Sequence, residues 1–212
     1  MNVIDIGYPE LILSLVFVGI AGVSSVALKL NLHRDIFWGT VRTVSQLFIM
    51  GYILRFLFKL TSPWPIFLFF AVMIAFAGRI VQKRIKSRQL PFLIPTMASM
   101  FLSCFFVTAA ITGLIVKVRP WYDPVYFIPL AGMIVGNSMN AIAITLERFF
   151  GDIRKQRDVI ELYLALGANY REASADIFRR AVSAGMIPSI NSMMGVGIVF
   201  LPGMMTGQIL AG

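Results

Sequence analysis

Charge, cysteine and histidine are all scarce in this chain of 212 residues. Charged side chains make up 14%, with 10 Asp and Glu against 19 Lys and Arg, and there is one cysteine and one histidine. A single thiol, Cys104, can form neither an intrachain disulfide nor a paired-cysteine metal site, and inside its apolar run it reads as a packing residue. The one imidazole, His33, stands beside Arg34 in a short turn and reads as solvated. No G-x-x-x-x-G-K-[ST] phosphate loop, H-E-x-x-H or G-x-S-x-G occurs, and no two acids share a hydrophobic run. The chain is therefore read as no enzyme, with no cofactor of its own, and any nucleotide hydrolysis falls to another protein. Asp5 and Glu10, with no Lys or Arg, precede the first apolar run, which is not how a cleaved signal peptide begins.

What the sequence has instead is grease. Hydrophobic residues make up 58% and the mean hydropathy is +0.81, more apolar surface than a soluble domain of this length can close into a core. The formal charge of +9 sits at the ends of the hydrophobic runs, a membrane pattern and not a nucleic-acid one. Runs of at least about 18 apolar residues mark spanning helices. Six are expected: Leu11–Leu28, Ile36–Phe58, Trp64–Val81, Phe92–Val116, Val125–Leu146 and Ala184 to about Leu201. The reading is an all-α, polytopic transmembrane helix bundle forming one domain over residues 1–212.

Orientation follows from Lys and Arg. Thirteen lie after the first and third runs and between the fifth and sixth, against Arg55, Lys59, Lys117 and Arg119 on the other side. The positive-inside rule then puts the N-terminus outside and the segment of about residues 147–183 in the cytoplasm of a cell whose inner (plasma) membrane holds the chain. Trp64, Trp121 and Tyr122 fall at the expected outer boundary and Trp38 at the inner one. Arg42 lies about six residues, roughly 9 Å, inside the second run, near enough to snorkel outward.

The cytoplasmic segment is the polar exception. Val159, Ile160, Leu162, Tyr163, Leu164 and Leu166 give a helix with a broad apolar face, and Gly167 supplies its C-terminal cap. Asn169, with Glu172 three residues on, starts a second, short helix through a capping box, with Ile177 and Phe178 on later turns. Glu161, Gly167 and Ile177 stand at the spacings of the "EAA" coupling loop of ABC-transporter membrane subunits, which this segment resembles.

A resemblance to the FetB-type permeases covers nearly the whole chain. It rests on the "LGA" turn at Leu166–Ala168, the helix "IPLAGMIVGN" at Ile128–Asn137 and the tail "LPGMMTGQILAG" at Leu201–Gly212. It implies the membrane subunit of an ABC transporter that exports iron or another metal, paired as a homodimer with two copies of a separate ATPase. It also implies that Glu161, Leu166, Gly167, Ala168, Arg171, Glu172 and Ile177 meet the ATPase. Relatives of that type continue into one more apolar span, so the sequence is read as a shortened chain. An ATP-independent channel or carrier, or an ABC permease for a nucleotide sugar or other solute, are the alternative readings.

Residues that could line a path are fewer. Met133, Gly136, Asn137 and Asn140 are spaced three or four apart on one stripe of the fifth run, and amides in hydrocarbon need partners. Gln46 and Asn191 pose the same question, and both helix packing and cargo contact remain open for all of them. The 12 methionines include Met204 and Met205, whose thioethers suit copper(I) and iron but also fill gaps between helices. Pro188 and Pro202-Gly203 are expected to kink or break the last span.

Overall fold

The computed structural model describes residues 8–29, 33–60, 62–85, 92–199, 201, 203 and 207, with side chains from Val16 onward. The chain is helical, with no strand among the described residues: α1 (Tyr8–Ala27), α2 (His33–Leu57), α3 (Pro63–Arg84), α4 (Leu93–Ala110) with a π turn (Ile111–Ile115), α5 (Pro124–Lys155), α6 (Arg157–Ala165) and α7 (Tyr170–Gly195). The all-helical membrane bundle expected from the sequence is what is found. The residues fall into two compact units that divide between Lys59 and Leu60.

In residues 1–59, α1 and α2 pack on each other and line an apolar groove of about 920 Å³ that includes Gly19, Gly22, Val23, Phe37 and Val41. Ser25 and Leu57 are the buried side chains described in this unit.

In residues 60–212, α3, α4 and α5 pack against one another. Their buried positions repeat at helical spacing: Ile66, Phe70, Ile74, Ala77 and Val81 on α3, Met100, Cys104 and Thr108 on α4 running on to Thr112, and Phe127, Ala131 and Val135 on α5. Thr108 and Thr112 are fully buried, and each hydroxyl donates to the carbonyl four residues back, Cys104 O at 2.6 Å and Thr108 O at 3.0 Å. That pairing lets polar side chains sit in an apolar interior. Away from α6, Phe67, Phe70, Phe101, Phe105, Trp121 and Phe127 form an aromatic cluster with ring centroids 5.3–6.3 Å apart. Nearer α6, Val81, Ile85 and Ala143 make a second core, flanked by Leu146, Phe92 and Phe150.

Among the described residues, three helices are long and apolar enough to cross a membrane: α3, α4 with its π turn, and α5. The described apolar part of α1, Val16–Ala27, is shorter, and α2, although 25 residues long, is diluted by Arg42, Thr43, Ser45 and Gln46. Two boundaries differ from expectation. The fifth run does not stop at Leu146, because α5 carries on to Lys155, about 48 Å in all at 1.5 Å per residue. Its charged last turns are held by an Arg148–Asp152 pair at 3.1 Å, and Arg84 of α3 meets Glu147 at 3.3 Å. Among the described residues, the short second helix of the loop and the start of the sixth span are also not separate elements. α7 runs unbroken from Tyr170 through Pro188 to Gly195, so Ala184 lies mid-helix and Val196–Val199 are not helical. Pro202 lies outside the described residues.

Candidate functional site

The α6–α7 connection is built from backbone upward. Beyond α6, Ala168 N donates to Tyr163 O at 3.0 Å and Gly167 N to Leu164 O at 3.1 Å. Those two bonds make a Schellman motif, with Gly167 at φ +96° in the region that side chains with a Cβ disfavour. The next helix starts at once. Asn169 Oδ1 accepts from Arg171 N at 2.9 Å and Glu172 N at 3.0 Å, and Glu172 Oε2 accepts from Asn169 N at 2.9 Å, closing the capping box. The turn read from Gly167 and the cap read from Asn169 and Glu172 are both present.

α6 itself has no buried residue. Arg157 Nε donates to Glu161 Oε1 at 2.7 Å, and the carboxylate holds that guanidinium above its ordinary value. Val159, Leu162, Tyr163 and Leu166 follow at i, i+3, i+4 and i+7, one apolar stripe whose members are 47–76% exposed. Beyond the turn Tyr170 is exposed as well, with the Arg171 guanidinium 5.7 Å from its ring centroid and Arg171 Nε donating to its hydroxyl at 3.2 Å.

Among the residues that the coupling-loop resemblance singles out, Glu161, Leu166, Gly167, Arg171 and Glu172 are exposed and Ala168 is half-buried. Ile177 is different. It is buried, on one stripe with Ala181 and Gly185, and that stripe lies on α5. A Cβ on Gly185 would collide with Thr145 Oγ1 and fall 2.6 Å from Ala141 O, so the two helices touch there backbone to backbone. Phe178 meets Phe149 edge-on at 6.1 Å, so rising numbers on α7 pair with falling numbers on α5 and the helices are antiparallel. Ile177 thus anchors α7, and the exposed surface belongs to α6 and the turn. Gly185 escaped the sequence reading, although its spacing of four from Ala181 and eight from Ile177 carried the signal.

The path candidates are scattered. Met133, Asn137 and Asn140 are exposed along α5, with open space at Gly136, and Asn191 is exposed on α7. Gln46 is exposed on α2, in the other unit. Met204 and Met205 lie outside the described residues. No group of three His, Cys, Asp or Glu side chains that could hold a metal occurs among the described residues.

Known proteins resemble the chain over nearly all its length. The family described as "Uncharacterised protein family (UPF0014)" matches residues 8–212. The chain is 40% identical over 187 residues to "UPF0014 membrane protein slr1647" of Synechocystis sp., covering 86% of this chain and 71% of that one. It is 34% identical over 218 residues to "Probable iron export permease protein FetB" of Escherichia coli, covering 100% and 80%, and 35% identical over 196 residues to "UPF0014 membrane protein STAR2" of Oryza sativa subsp. japonica, covering 92% and 67%. No solved structure matches.

Proposed function

Since the chain belongs to the UPF0014 family of membrane proteins, we propose that it is the permease subunit of an ABC transporter, moving iron or another metal outward under the drive of a separate ATPase. The observation that carries the coupling is the uncovered apolar stripe of α6. Val159, Leu162, Tyr163 and Leu166 are 47–76% exposed, while the Schellman turn and capping box fix the end of α6 and the start of α7. A preformed amphipathic helix of this kind seats in a groove of a soluble partner at little ordering cost. The cargo is taken from the name of the Escherichia coli relative.

The chain sits in the inner (plasma) membrane with its N-terminus outside, so α6 faces the cytoplasm and the ATPase. Two copies of the permease pair with two of the ATPase. Closure of the nucleotide sandwich pushes on α6 and on the capped start of α7. Because α7 is one continuous helix of 26 residues, about 39 Å at 1.5 Å per residue, the displacement runs along it through Pro188 to Asn191. The close contact of Gly185 with Ala141 and Thr145 passes it to α5, on which Asn137 and Asn140 lie. Those amides and Met133 would meet the cargo.

The test is a pull-down of the chain from native membranes, followed by assays of ATP turnover against candidate solutes. A co-purifying ATPase whose turnover rises with iron or another metal is expected. Recovery without any ATPase, or turnover indifferent to every solute, contradicts the proposal.

A further inference from the structure

α5 outruns the bilayer. Its apolar run Val125–Leu146 covers about 33 Å at 1.5 Å per residue, enough for a hydrocarbon core of about 30 Å. Lys155 stands about 14 Å further on, beyond a headgroup layer about 5–8 Å deep. α7 returns antiparallel along this stalk, with Phe178 level with Phe149. Arg171, about 10 Å outward from Phe178, therefore stands at the height of the junction between α5 and α6. α6 is carried at the tip of a helical hairpin.

The charges at that tip do not balance. Within residues 147–180 the acids other than Asp158 are committed: Glu147 to Arg84, Asp152 to Arg148, Glu161 to Arg157, Asp176 to Arg179, and Glu172 to the backbone amide of Asn169. Asp158 sits in the first turn of α6, at the positive end of that helix. Arg154, Lys155 and Arg171 are exposed, and among the described residues none of them pairs with a carboxylate.

The rest of the chain has no acid to give them. Outside residues 147–180 the acids are Asp5, Glu10, Asp35 and Asp123. Asp123 caps the opposite end of α5, Asp5 and Glu10 precede the first apolar run, and Asp35 follows Arg34 directly. Residues 86–91 bring Lys86 and Arg88 and no acid. Anionic headgroups lie about a Debye length, roughly 8 Å, below the tip and hold its cations only weakly. Arg180 is different, since two residues inward from Phe178 it stands near the height of the headgroups.

We propose that Arg154, Lys155 and Arg171 dock against an acidic rim on a soluble protein, around the groove that takes the apolar stripe of α6. This rests on the docking surface proposed above and names the chemistry of its partner, an apolar floor edged by carboxylates. Rim charges of this kind act on the rate of association and on its salt dependence.

The test is binding of the co-purified ATPase to the full chain in bilayer discs of phosphatidylcholine, with and without Arg154→Glu and Lys155→Glu together. Association should be about tenfold slower for the reversed chain at about 50 mM salt and near parity at about 500 mM. Arg171→Glu, whose new carboxylate favours the start of α7, should act the same way and reports if the first variant misfolds. Arg180→Gln should associate like the original. Unchanged association of both reversed chains at low salt, or a loss as large for Arg180→Gln, overturns the acidic rim. A loss seen only when phosphatidylglycerol is added to the discs overturns it too, by assigning the cations to lipid. Those results leave the apolar docking of α6 standing, whereas an original chain that binds no ATPase ends that reading and this one together.

Discussion

The two ends of residues 60–212 make opposite use of the same kinds of side chain. At one end Phe67, Phe70, Phe101, Phe105, Trp121 and Phe127 spend their aromatic surface on one another. At the other, α6 leaves Val159, Leu162, Tyr163 and Leu166 exposed, although its C-terminal turn is fixed by backbone hydrogen bonds. A frayed loop could expose apolar residues by accident. A helix closed by a Schellman turn and followed by a capping box holds them out in a fixed array, which is the form of a docking surface. The aromatic end serves stability, and the α6 end is the surface proposed to meet a partner.

That contrast can be broken from either side. The largest effect is expected at the aromatic end, where Phe70→Ala should cost about 3–5 kcal/mol and lower the melting temperature of the detergent-purified chain. A small shift would mean that the cluster is loosely packed. Gly185→Val should cost about 1–3 kcal/mol by forcing α7 off α5, and a normal melting curve would show that the close approach can relax. Gly167→Val should cost about 1–2 kcal/mol, because a β-branched residue at φ +96° is strained, with transport lowered and membrane insertion intact. Asn169→Ala removes a cap worth about 1 kcal/mol, and faster amide exchange confined to the first turn of α7 is the expected readout. The smallest change in stability, within about 0.5 kcal/mol, belongs to Leu162→Ser on α6, since nothing inside the chain packs on it tightly.

Much of this arrangement was legible in the residues. Gly167 announced its left-handed turn and Asn169 with Glu172 announced the cap, because each is a local rule that three or four residues satisfy alone. The apolar runs that became α3, α4 and α5 were legible for the same reason: length and hydropathy are properties of the segment. What escaped depends on neighbours. Glu147, Arg148 and Asp152 look like the start of a loop until Arg148–Asp152 and Arg84–Glu147 are seen holding α5 together. α7 was divided in two because polarity changes between Arg180 and Met186, while the stripe of Ile177, Ala181 and Gly185 runs on in register. The same stripe explains Ile177: a motif spacing marks it, and only the packing on α5 shows that it faces inward.

The central claim is that α6 is a docking surface. It is tested most directly by measuring the affinity of the purified chain for the ATPase proposed to accompany it, before and after the double substitution Leu162→Ser and Leu166→Ser. Truncating two exposed apolar anchors should weaken binding by about tenfold or more while the melting temperature stays put. An ATPase that binds the doubly substituted chain as tightly as the original would contradict the assignment.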